Sequence, residues 1–107
     1  MLLTKENRKN LPALYETEGV DTAEKNVVVK FFTPWSNWTW YAVEGAPVLD
    51  EEGNEVDFEF FGLVDGDCKE WGYFMLSELA KVKGPFGLKV ERDMHFTNVK
   101  MSEVLKN

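Results

Sequence analysis

The chain has 107 residues, enough for one domain with one core. Its single cysteine, Cys68, excludes an intrachain disulfide, and no apolar run reaches the ~18 residues of a membrane span. The formal charge of −7 is uneven: residues 31–80 carry Lys69 against eleven carboxylates, while residues 81–107 are net basic. An acidic middle repels nucleic acid and favours basic partners, or serves only as a solvated face.

Thr4 is placed to cap a first helix over residues 5–9. Pro12, suited to a first turn, suggests a second helix with Leu11, Leu14 and Tyr15 on one face and Gly19 as its stop. Met1-Leu2-Leu3 meets Thr4-Lys5-Glu6 at once, which is no signal-peptide pattern. With the free cysteine, this gives the expectation of a cytoplasmic protein.

Residues 27–32 are β-branched and aromatic apart from Lys30, a strand whose near-continuous apolar run predicts burial on both faces. Residues 30–43, KFFTPWSNWTWYAV, hold three of the four tryptophans around a Thr-Pro-Trp-Ser turn. A second strand follows over 38–44, with Trp38, Trp40 and Ala42 on one side. Asp50-Glu51-Glu52-Gly53-Asn54 is a turn signal. Residues 56–64 alternate until Phe60-Phe61-Gly62, where a β-bulge is expected beside Gly62. Asp65-Gly66-Asp67 turns the chain into a strand over 71–76, and Ser77 is expected to cap a helix running to Val82. Gly84-Pro85-Phe86-Gly87 has the residue types of a type I turn. A last strand over 88–96 would put Leu88, Val90, Arg92, Met94 and Phe96 on its inner face, before a final short helix capped by Ser102. The sum is a single α+β domain, residues 1–107, on an antiparallel sheet of about five strands. Short helices stand at the N-terminus, between strands four and five, and at the C-terminus.

The runs KFFTPWSNWTWYAVE, FFGLVDG, GYFMLSEL and GPFGLKVERDMHF resemble a small bacterial family known only as a domain of unknown function. The resemblance covers nearly the whole chain. It implies a genetic setting on plasmids, integrative elements and prophages, among conjugation and replication genes, and brings no activity or cofactor. The acidic excursion over 45–55 is longer here than in the family's pattern.

Three constellations are candidates for chemistry. Asp93 and His95 project to one side of a strand, and a carboxylate beside an imidazole suits general-base work, with Glu44 as a third member. Arg92, on the apolar side of its strand, is expected to be buried and paired with Glu44 or Asp57. Cys68 stands among Asp65, Asp67 and Glu70, which suppress a thiolate. Asp65-Gly66-Asp67 fails the calcium-loop template, with Lys69 in the fifth position and Leu76 in the twelfth. There is no Walker A, G-x-G-x-x-G or G-x-S-x-G motif. No cofactor and no metal are called for.

The leading expectation is a non-enzymatic protein-interaction module. Its binding residues are Trp35, Asn37 and Trp38 of the aromatic turn, with Asp50, Glu51, Glu52, Asp65, Asp67 and Glu70 of the acidic block. Trp35, in the turn after Pro34, is expected to be the most exposed ring. The partner would be a basic protein, such as a DNA-binding defence or replication protein that the acidic block inhibits, with carboxylates in place of phosphates. Neither direct nucleic-acid binding nor a membrane role is expected. The alternative is a small hydrolase-like enzyme using Asp93, His95 and Glu44.

Overall fold

The computed structural model describes residues 1–96 and 98–106. The alternating stretches form an antiparallel meander: β3 (Thr39–Leu49), β4 (Glu55–Asp65) and β5 (Lys69–Met75). β2 (Val29–Phe32) pairs with the other side of β3, and β6 (Glu91–Arg92) adds to β2. The five-stranded order is β5-β4-β3-β2-β6. β1 (Asn26–Val27) and β7 (Val99–Lys100) make a separate two-stranded ladder. Three short helices, α1 (Lys5–Asn10), α2 (Leu76–Lys81) and α3 (Met101–Leu105), complete the described residues. The α+β architecture expected from alternation is present; the β1–β7 ladder had no signal in two-residue strands.

Register assigns the two faces. Phe31 lies opposite Trp40, Trp40 opposite Val64, and Phe60 opposite Phe74, so these side chains share one side. There they pack with Leu3, Leu11, Leu79 and Val90. Phe60 anchors the cluster, with Phe31, Phe58 and Phe74 ring centroids 5.1–5.5 Å away. On the other side Val43 and Leu63 pack with Val27 and with Met101 of α3. The sheet is therefore covered on both faces, as β2's apolar run implied.

The bulge is on β3, not at Gly62 itself. The register slips between Ala42 and Glu44, so Val43 and Glu44 both turn toward the Leu63 side. Gly62 lies opposite, and a side chain there would meet the Tyr41 carbonyl oxygen at 1.9 Å.

Four local expectations need correction. Thr4 does cap α1, with its hydroxyl accepting the Asn7 N–H at 3.0 Å, but residues 12–19 form turns instead of a second helix. Their amides are held by Glu44, and Tyr15 takes a positive φ of 69°. Ser77 lies inside α2; its amide and hydroxyl donate to Asp57, while Glu78 accepts the Met75 N–H. In the 84–87 turn, Phe86 takes φ 58°, which no type I turn has. The last strand shrinks to β6. Asp93 accepts the His95 N–H at 3.0 Å on its side chain and the Phe96 N–H on its carbonyl, and that turn ends the ladder. Leu88 and Met94, expected inside, are exposed.

Candidate binding site

The aromatic turn is built by short-range hydrogen bonds. The Thr33 N–H donates to the Trp38 carbonyl at 3.0 Å, the Ser36 N–H to the Thr33 carbonyl at 3.3 Å, and the two hydroxyls bond each other. Closing the turn this way fixes Trp35 and Trp38 on opposite flanks, each laid on a glycine. A side chain at Gly84 would sit 2.3 Å from the Trp35 indole; one at Gly66 would sit 2.5 Å from the Trp38 indole. Both glycines are there for close approach.

The result is a groove of about 470 Å³ lined by Trp35, Trp38 and Trp40, with Val82 and Lys83 as its far wall. Trp38 and Trp40 rings are 5.9 Å apart and tilted. Trp40 is core at 8% exposure, whereas Trp38 is 39% exposed. Trp35 is half-buried against Gly84, so the most exposed of these rings is Trp38, contrary to the expectation from Pro34.

The acidic residues divide into separate groups. Glu70 lies across from Val64, on the Trp40 side of the sheet, and Asp67 follows the glycine on which Trp38 rests. Both are exposed. Asp65 lies opposite Thr39 and faces the other side, where burial first and its carboxylate second push the Tyr41 phenol up. Asn37 lines a different cleft with Lys30 and Asp93. Asp50, Glu51 and Glu52 stand at the far end of the β3–β4 hairpin. Eleven residues of β4 at about 3.4 Å each put that tip roughly 34 Å away. Asp67 and Glu70 are thus at the Trp38 end and on the Trp40 side of the sheet, while Asn37, Asp65 and the tip lie elsewhere. Sequence reasoning missed Val82 and Lys83; the groove wall comes from the end of α2, which no local pattern ties to the turn.

The proposed catalytic trio is not brought together. Glu44 is buried among the N-terminal turns: its carboxylate accepts the Tyr15 N–H at 2.8 Å, the Thr17 N–H at 3.0 Å and the Thr17 hydroxyl, with the buried Lys25 ammonium at 3.8 Å. Burial alone would raise this carboxyl, but those bonds and Lys25 outweigh it and hold it below its ordinary range. The clefts that Asp93 lines do not include Glu44. Asp93 spends one oxygen on the His95 backbone and the other on Lys30 at 3.7 Å.

Arg92 finds neither expected acid. Glu44 holds Lys25, and Asp57 holds Ser77. The Cys68 thiol donates to Glu70 at 3.3 Å, and that bond, then the charges of Glu70 and Asp67, push it up, away from thiolate chemistry. No group of three His, Cys, Asp or Glu placed to hold a metal occurs among the described residues. No helix among them is long and apolar enough to cross a membrane.

Fold and site together define a small α+β domain with an aromatic groove, in which Asp93 and His95 line one cleft and Glu44 is buried apart from it. Over residues 2–107 the chain matches the model of the family described as Protein of unknown function (DUF2958), and it belongs to that family. No curated protein and no solved structure matches it.

Proposed function

We propose that the chain is a non-enzymatic protein-interaction module that docks a basic segment of a partner into the tryptophan groove. The observation that carries this reading is the exposed Trp38 indole, seated on Gly66 beside Asp67, with Glu70 on the same side of the sheet. An arginine or lysine over such a ring gains a cation–π contact, worth about 0.5–2 kcal/mol. Asp67 and Glu70 draw the cation to the open Trp38 face and reject anionic partners, while Lys83 keeps it off the far wall of the groove. Aromatic grooves of this size take one extended segment.

On this reading the partner is a basic protein. The chain's acidic middle and its resemblance to proteins of plasmids, integrative elements and phages favour a DNA-binding protein of host defence or replication, held off its DNA. A hydrolase using Asp93, His95 and Glu44 is the weaker reading, because Glu44 is fully engaged elsewhere.

The test is capture from a host lysate, with mass spectrometry, using wild type, Trp38→Ala and a double Asp67→Asn, Glu70→Gln variant. Wild type should retain a basic protein in a salt-sensitive way, and both variants should lose it while remaining folded with a cooperative melt. Equal retention by all three would sink the proposal.

A further inference from the structure

The chain has two arginines, and the fold satisfies one of them. Arg8 forks onto both oxygens of Glu55, one contact at 2.7 Å, and lies 4.8 Å from the centroid of Phe58. Arg92 is in no ion pair among the described residues, and its Nε is shut off from water without a hydrogen-bond partner. Its register places it opposite Phe31, on the core side of the sheet. A half-buried guanidinium without an acid is expensive. Asp93 is held by Lys30 and the His95 backbone, Glu44 by Lys25 and Asp57 by Ser77, while the exposed Glu6, which lines the same cleft, makes no ion pair with it.

Arg92 also walls a cleft of about 600 Å³ between α1 and the start of β2. That lies within the ~300–1,000 Å³ of small-molecule sites. Val28, Val29 and Phe96 give it apolar lining, and Asn7 reaches it from α1. Asn7 spends its oxygen on the Thr4 N–H, which leaves its NH₂ as a donor. Lys30 also lines the cleft, but Glu6 and Asp93 do too, so a multiply charged anion would meet two carboxylates. A planar guanidinium fork matches a carboxylate in two parallel bonds.

We propose that this cleft binds a small organic monocarboxylate, with its carboxylate on Arg92 and its apolar part against Val28, Val29 and Phe96. The cleft shares no lining residue with the tryptophan groove, so this site stands apart from the proposed docking function.

The experiment is an NMR titration of the full chain with butyrate, following the Arg92 Nε–H and Asn7 side-chain resonances. Parallel titrations use butyramide, succinate and inorganic phosphate. Butyrate should shift both resonances saturably, succinate and phosphate should bind more weakly, and butyramide should not bind. Arg92→Lys keeps the charge but loses the fork, and should weaken butyrate about tenfold or more; Arg92→Gln should abolish binding. If Arg92→Gln does not fold, Arg92→Lys and the wild-type ligand series decide the matter. The proposal is overturned by no saturable butyrate shift, by butyramide binding as well as butyrate, by phosphate binding tightest, or by unchanged affinity in Arg92→Lys.

Discussion

The acidic middle of the chain has one cluster at the tip of the β3–β4 hairpin and another at its base, in the β4–β5 turn and the start of β5, and the two ends are built differently. At the tip, Asp50 turns its carboxylate onto the backbone, accepting the Glu52 and Asn54 N–H groups at 2.9 Å each. Glu51 and Glu52 stand in solvent beside the open aliphatic side chains of Leu49 and Val56. At the base, a tryptophan lies on Gly66 next to a shaped groove, Asp67 follows that glycine in the chain, and Glu70 is on the same side of the sheet as Trp40. Similar charge therefore has different uses. At the tip it closes a turn and keeps the hairpin solvated; at the base it borders ring surface that a partner can cover.

The sharpest way to break this contrast is to truncate the two neighbouring tryptophans. Trp40 is buried in the main cluster, so Trp40→Ala should cost about 3–5 kcal/mol. Trp38 has an open face, so Trp38→Ala should cost about 1 kcal/mol or less while removing partner binding. Denaturant melts of both variants give the comparison. Equal losses would make Trp38 a core residue and leave the base no more of a recognition surface than the tip.

Midway between the two ends sits the Glu44–Lys25 pair, which ties the N-terminal turns to the β3 bulge. Glu44→Gln keeps the shape but leaves the buried Lys25 ammonium without a counter-charge, and should cost about 3 kcal/mol at neutral pH. The carboxyl's folded pKa lies below its ordinary 4.5. Its stabilisation is thus complete above about pH 4.5 and is lost as pH falls through the folded value. Melts across the acid range should show a steep decline in wild type and a shallower one in Glu44→Gln. Parallel acid limbs would mean that this carboxylate is not what holds the turns.

The sheet was legible because its strands alternate strictly, as in Val56-Asp57-Phe58-Glu59-Phe60 and Trp38-Thr39-Trp40-Tyr41-Ala42. The turns after Leu49 and Asp65 were legible from their Gly, Asp and Asn content. Tertiary contacts overrode local signals elsewhere. Pro12 and the Leu11, Leu14, Tyr15 spacing predict a helix, but Glu44, far along the chain, takes the amides of Tyr15 and Thr17 and holds turns instead. Leu88 to Phe96 alternates like a strand, but the Asp93 side chain bends the chain after Arg92. The expected binding residues are spread over the fold, with Trp38 by the β4–β5 turn and Asp50, Glu51 and Glu52 at the opposite tip. Trp38 comes to lie on Gly66 because register brings the start of β3 beside the β4–β5 turn, and nothing local reports register.

A finer test moves the ring without deleting it. Gly66→Ala places a methyl 2.5 Å from the Trp38 indole, which is the free end of a side chain and can swing away. The fold should lose about 1 kcal/mol or less. The docking surface should lose its flat seat, so affinity for the captured partner should fall nearly as far as in Trp38→Ala. Near-UV circular dichroism would report the displaced ring. A variant with wild-type affinity and an altered spectrum would show that the ring's position is irrelevant to binding.

The smallest expected effect is at the tip, and it separates a local site from a general field. Asp50 is left intact because it closes the turn, and Glu51 and Glu52 are both changed to Lys. In a matched variant, Asp67 and Glu70 are changed to Lys. Both change two carboxylates to ammonium groups, so their effect on net charge is identical. At physiological ionic strength the Debye length is about 8 Å, and the tip is roughly four such lengths from the groove. Reversal at the base should slow association several-fold, with less change in dissociation, and the deficit should shrink as salt is added. Reversal at the tip should leave the melting temperature and both rates at their wild-type values. Surface plasmon resonance against the captured partner, at two salt concentrations, measures all four numbers. If the tip variant slows association as much as the base variant, the partner responds to the acidity of the whole molecule, and the tryptophan groove is not where it docks.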